Sequence, residues 1–309
     1  MWKSGSSRVA SMNKTSDLSG IVAMLAATAS FIVNDSFVKL VTEDLPSFEV
    51  LFLRGLAASL ACAVLLVLRG EWRAISGALD GRALLRASGE TLSTLCYIVA
   101  LARMPIADVI GIIQTAPLIL ILGAAVLMHE RVGLARIALV LVGFAGALMV
   151  AQPGTTGFSP AALLAFAAAV LIAARDLVGR NVPARIPVTV VVFATMLMVT
   201  VAAGAMSLGI EPWIPPTGGH LAFLGAAGLF LTLGQAGLVL AYRLGRTAAV
   251  APFFYSLALW AVVSGLIIWR ALPNPVALAG IALIAISGIA IVLLDRRQGR
   301  SEVALTDAL

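Results

Sequence analysis

Ten apolar runs, each close to the length of a bilayer crossing, fill this chain, at about 18–40, 48–68, 84–101, 105–127, 134–151, 159–178, 188–210, 220–241, 248–269 and 275–294. A helix of about 20 mainly apolar residues spans the hydrocarbon core and meets its backbone hydrogen bonds internally. The runs are continuous rather than alternating, which argues against a membrane β-barrel. Composition agrees: 61 % of the residues are hydrophobic and 12 % charged, outside the usual range of a soluble domain. Several connections are only a few residues long, so no soluble domain separates the spans. The sequence predicts an all-α integral membrane protein with ten transmembrane helices.

Basic residues set the orientation, because they are retained on the cytoplasmic side. With the N-terminus inside, seventeen of the 21 Lys and Arg residues fall in cytoplasmic segments, Arg82, Arg86, Arg175 and Arg180 among them. Only Arg103 and Arg270 fall in outer loops, while Lys39 and Arg54 lie within spans or at their ends. Both termini are therefore expected in the cytoplasm, with the chain in the inner membrane. The net charge of +6 then describes a basic face meeting anionic lipid, and no nucleic-acid partner is implied. The segment 1–17 reads as a polar tail, with Met12 as an alternative start to Met1, and 296–309 as a second tail. Cys62 and Cys96 fall inside spans and read as small core residues rather than a disulfide.

The stretch "FIVNDSFVKL" (31–40) carries Asn34, Asp35 and Lys39 in a segment apolar enough to enter a membrane. Shifting the chain by about 141 residues lays it over "AARDLVGR", so that Asp35 meets Asp176, Asn34 meets Arg175, Lys39 meets Arg180 and Pro46 meets Pro187. The chain thus divides into two repeats, 18–151 and 159–295. Five helices per repeat is an odd number, so the second copy is inserted upside down relative to the first. Inverted repeats are a device of secondary transporters, which place the site near the midplane between the halves.

"RG" (Arg54, Gly55), then "PIADVIGIIQTAPLILILGAAVLMHERVG" and "VGFAGALMV" resemble the EamA module of the drug/metabolite transporter superfamily. Asp108, Pro117 and Glu130 carry the resemblance at their spacings; in the second copy Leu257 and Arg270 replace Pro117 and Glu130. The resemblance implies ten helices in two such modules, with both termini cytoplasmic.

An ionised carboxylate within a span costs about 2.5–3.5 kcal/mol at the helix centre, so Asp35 and Asp176 should face water or a partner. Each has a cation four residues on, in the acid-first order that suits a helical ion pair. They read either as anchoring pairs, Asp35–Lys39 and Asp176–Arg180, or, with Asn34, as gating or coupling groups at the two mouths of one pathway. Gln114 and Thr115, Tyr97, Gln235, and Phe253, Tyr255 and Trp260 are polar or aromatic groups deeper in the spans. They read as lining a central substrate cavity, against the blander reading of interhelical hydrogen bonds. Glu90 is a weaker candidate, Pro117 a point where the helix ladder breaks, and Glu130 a turn-fixing residue. His129 and His220 belong to opposite faces, so no metal site is expected, and no GxxxxGK loop or other cofactor signature is present.

These readings predict a secondary transporter for small organic metabolites, an exporter of amino acids or related amphipathic metabolites, as a monomer or weak homodimer with proton coupling left open. Uptake of a vitamin or nucleoside-like cofactor is the second reading. A polytopic membrane enzyme is the third, disfavoured because the acids are scattered rather than clustered.

Overall fold

The computed structural model describes residues 4–127, 133–152, 159–179, 181–183, 185–245 and 250–306. The turn role read for Glu130, the placing of His129 and the Asp176–Arg180 pair fall outside them. Every regular element described is helical: α1 (Ser4–Val41), α2 (Ser47–Leu68), α3 (Gly81–Arg103), α4 (Ile106–Ile113), α5 (Ala116–Leu127), α6 (Leu134–Ala151), α7 (Pro160–Gly179), α8 (Val188–Ile210), α9 (Gly218–Leu244), α10 (Ser256–Trp269) and α11 (Pro275–Thr306), with 3-10 segments at Glu71–Leu79 and Ala251–Tyr255.

Among the described residues, six stretches are long and apolar enough to cross a membrane: Leu18–Val41, Ser47–Leu68, Pro160–Gly179, Val188–Ile210, Gly218–Ala241 and Pro275–Leu294. Ile106–Leu120, Ile137–Val150 and Phe253–Trp269 are shorter apolar helices. Large apolar side chains such as Leu60, Val201, Leu208 and Ile267 are exposed around the bundle. That outer surface suits lipid and would be costly in water. The chain is a multi-pass membrane protein. α3 is less apolar because Arg86, Glu90, Thr91, Ser93 and Thr94 lie along it, and several of these turn inward.

Three segments differ from the sequence reading. The segment 1–17, expected as a tail, is helical from Ser4 onward as the start of α1, since a helix meets its own backbone bonds and can run past the bilayer. The run 105–127, expected as one helix, is broken: Thr115 N–H bonds to the Ile112 carbonyl, and Leu118 and Ile119 restart from the Thr115 carbonyl. Pro117 is the cause, because it lacks the N–H that the Ile113 carbonyl would receive. The run 248–269 is likewise divided, by the 3-10 turn that ends at Tyr255.

Packing follows a regular scheme. α1 lies on α9, α3 on α7, α2 on α8, and α6 on α11. Ser59 of α2 and Thr200 of α8, 141 positions apart, share a hydrogen bond. Gln114 Nε2 donates to the Tyr255 carbonyl across the same spacing. Pro46 and Pro187 precede α2 and α8 with matching backbone angles (φ −58°, ψ 146° and φ −58°, ψ 140°). α6 and α11 come closest at Gly146 and Gly280, where a Cβ on either residue would meet the other's carbonyl oxygen at 2.7 and 2.5 Å.

One end of the bundle gathers Glu43 with Trp269, Asp44 with His220, and Gln152 with Asn274. The other gathers Asp80 with Arg185, Arg82 with the Asn181 carbonyl, and Glu71 with Thr189.

Candidate functional site

Between these two ends, α1, α3, α7, α8 and α9 enclose a polar cavity. Its first compartment, about 210 Å³, is bounded by Asn34, Asp35, Arg54, Glu90, Tyr97 and Gln235, with Phe31, Ile113, Leu231 and Leu257 as apolar walls. A second compartment, about 410 Å³, adds Arg86, Pro117, Asp176 and Thr195. Phe31, Glu90, Arg175, Met196 and Gln235 border both, so the two form one path along the bundle axis.

Asp35 is buried at 8 % exposure and held from two sides. Tyr97 donates its hydroxyl to Oδ2 at 2.7 Å, and Asn34 donates Nδ2 to Oδ1 at 2.9 Å. Arg54 of α2, 7 % exposed, lies within electrostatic reach of it. A carboxylate taken out of water needs such donors and a nearby cation to stay ionised.

Asp35 and Lys39 do not form the anchoring pair that their spacing suggests. Lys39 Nζ instead donates to the carbonyls of Leu101 and Met104, each at 2.7 Å, and lies 5.8 Å from the Trp269 ring centroid. The last carbonyls of α3 have no intrahelical donor and sit at the negative end of its dipole, so they draw the ammonium away from its own helix. Lys39 is therefore a helix cap and does not border the cavity compartments.

Arg175 corrects a second expectation. Counted from sequence among cytoplasmic charges, it is turned inward and paired with Glu90 of α3 and, at 3.2 Å, with Asp176. α3 and α7 approach closely there, since a Cβ on Gly89 would sit 2.9 Å from the Arg175 Cβ. Glu90 and Arg175 stand where the two compartments meet, and Asp176 extends the group into the second.

The structure brings Asn34, Asp35, Tyr97, Gln235 and Asp176 to the cavity walls. It places the other deep groups elsewhere. Gln114 donates Nε2 to the Tyr255 carbonyl at 3.2 Å, and Thr115 bonds back to Ile112. Tyr255 is buried against Gly288, Trp260 packs on the main core, and Phe253 is 37 % exposed. Gln114 and Tyr255 join the two broken runs, and none of the five borders the two compartments. Arg54, Arg86 and Arg175 are the wall residues that sequence reasoning passed over. A charge inside or beside an apolar run was the available signal, but a span end and a cavity look alike along the chain.

Comparison with known proteins bears on what such a cavity serves. Residues 18–152 match the model of the EamA-like transporter family. Over these residues the chain is similar to an EamA-like domain. A riboflavin transporter of Rhizobium johnstonii is 35 % identical to the chain, over 56 % of this chain and 57 % of that protein; the match thus spans little more than half of that relative. The pseudopaline exporter CntI of Pseudomonas aeruginosa is 28 % identical over 88 % of this chain and 95 % of its own length. An S-adenosylmethionine uptake transporter of Rickettsia prowazekii is 22 % identical over 92 % and 96 %. A solved crystal structure of a protein superposes with a TM-score of 0.64 at 21 % identity, covering 93 % of this chain and 99 % of that one, and speaks for the fold alone. The matched residues run from within α1 to the end of α6 and include Asp35, Arg54, Glu90 and Tyr97, while Arg175, Asp176 and Gln235 lie in the rest of the chain.

Proposed function

We propose that the chain is a secondary transporter that moves small organic metabolites across the inner membrane by alternating access, and that it exports amino acids or related amphipathic metabolites. One observation carries this reading: a polar cavity with acids and bases on its walls runs along the axis of an otherwise apolar bundle. Buried charge is costly at membrane depth, and its usual place is a substrate or ion path. Apolar walls beside a few hydrogen-bonding groups suit an amphipathic solute.

The chain is read as two inverted five-helix repeats, 18–151 and 159–295, with 1–17 and 296–309 at the cytoplasmic side. Bonds between positions 141 apart support this, as does the same spacing between the first residues of α2 and α8, and of α6 and α11. The packing of α1 on α9 repeats that of α3 on α7, as a two-fold relation between the halves requires. Halves related in this way can rock about the site that they share.

Export is supported by the likeness to the pseudopaline exporter, which extends over 95 % of that protein. Uptake of a vitamin-like solute is the second reading, favoured by the 35 % identity to the riboflavin transporter. Asp35, on the first compartment, and Asp176, on the second, are assigned as the coupling groups at the two mouths of the path, with Asn34 beside Asp35. Flux assays with purified protein in liposomes, run in both directions with amino acids, riboflavin and nucleosides, test the proposal. Saturable amino-acid flux is expected. Riboflavin or nucleoside flux alone would replace the first reading with the second. Asp35→Asn is expected to lower flux at unchanged expression; normal flux would remove Asp35 from the mechanism.

A further inference from the structure

Inside the first compartment the hydrogen-bonding capacity is unevenly used. Arg175 and Glu90 are paired with each other, and both oxygens of Asp35 accept a bond. Among the fully buried wall atoms outside that ion pair, two lack a hydrogen-bond partner. Arg54 Nε is buried with no hydrogen-bond partner among the described residues, and so is Asn34 Oδ1. Both residues are more than nine-tenths buried, at 7 % and 2 % exposure, and both border the cavity. One is a cationic donor and the other a neutral acceptor beside a carboxylate.

We propose that Arg54 holds the carboxylate of a zwitterionic substrate, while Asn34 Oδ1, next to Asp35, receives its ammonium group. The assignment rests on the amino-acid reading above and names the part of the solute that is recognised. A guanidinium presents its donors in a planar fork that matches a carboxylate and is never deprotonated in proteins. Buried polar groups without partners are costly, so a ligand that supplies both missing partners is favoured over one that supplies one. The surrounding Phe31, Ile113, Leu231 and Leu257 provide a place for an apolar side chain. With Asp35 and Arg54 on the same wall, the compartment is locally balanced in charge, which suits a zwitterion better than a net anion or a net cation.

L-Phenylalanine, its amide, phenethylamine and N-acetylphenylalanine form a probe set with one charged group changed or removed at a time. Each competes against labelled L-phenylalanine in counterflow with wild-type protein, Arg54→Lys and Arg54→Gln in liposomes. Wild type is expected to prefer the free acid over the amide and the amine by about 10- to 100-fold, the range of a charge-assisted hydrogen bond. In Arg54→Gln that preference collapses while inhibition by the amide is unchanged, and Arg54→Lys keeps part of it. A merely structural lesion would weaken every competitor alike. Equal binding of acid and amide by wild type, or a preference that survives in Arg54→Gln, overturns the assignment and leaves the amino-acid reading standing. Riboflavin flux with no phenylalanine flux overturns both. Should Arg54→Gln fail to fold, the wild-type comparison of acid with amide decides alone.

Discussion

Lys39 shows how one side chain chooses between two partners of similar appeal. Its own helix offers Asp35 one turn back, whereas α3 offers two carbonyls with no donor of their own. Two short bonds to Leu101 and Met104 outweigh one i,i+4 pair, worth about 0.2–0.5 kcal/mol on a helix surface. Lys39→Gln is therefore expected to lower stability by about 1.5–3 kcal/mol, the range for hydrogen bonds to a charged group. With Asp35→Asn in the same chain, the losses should add to within about 0.5 kcal/mol. Thermal unfolding of the two single variants and the double variant in detergent measures this. A double variant more stable than Lys39→Gln alone would restore the anchoring pair. Tyr97→Phe keeps the ring but removes the donor to Asp35 Oδ2; a loss of about 1 kcal/mol and several-fold lower flux are expected, and unchanged flux would detach Tyr97 from the site.

At the scale of elements, the contact between α6 and α11 depends on missing side chains. A valine at Gly280 would place its Cβ 2.5 Å from the Gly146 carbonyl oxygen, and backbone cannot move aside as a flexible side chain can. Gly280→Val should cost about 1–3 kcal/mol or more, the range for overpacking, seen as a lower melting temperature or lost yield. Gly225 of α9 has nothing within 4 Å of an added Cβ, so Gly225→Ala should be neutral or stabilise by up to about 1 kcal/mol through helix propensity. A pair of equal melting temperatures for the two variants would contradict the close packing. Both broken runs belong to this scale as well: a proline at the start of α5, and a 3-10 turn before α10, bring Gln114 against the Tyr255 carbonyl.

For the whole molecule, orientation is the open quantity, and charge decides it. The bundle end bearing Asp80, Arg82 and Arg185 is expected in the cytoplasm, by the bias of seventeen basic residues to two. In a background of Cys62→Ser and Cys96→Ser, a cysteine replacing the exposed Pro215 should react with a membrane-impermeant reagent on intact cells. One replacing the exposed Ser76 should react only after permeabilisation. The reverse pattern would invert the topology.

The sequence by itself determined the helical membrane class, the 141-residue spacing and the presence of Asp35, Asn34, Tyr97, Gln235 and Asp176 among the polar groups of the apolar runs. Each rests on local composition or on spacing along the chain, and a bilayer makes such signals strong because every exposed polar group there is costly. Tertiary structure alone decided what those groups touch. Lys39 left Asp35 for the end of α3, Arg175 turned from the surface to Glu90, and Arg54 came from another helix to face Asp35 with its Nε unpartnered. These three residues meet their partners at chain separations that the 141-residue correspondence does not give, and the packing of α1 on α9 and α3 on α7 helps bring their side chains into one cavity.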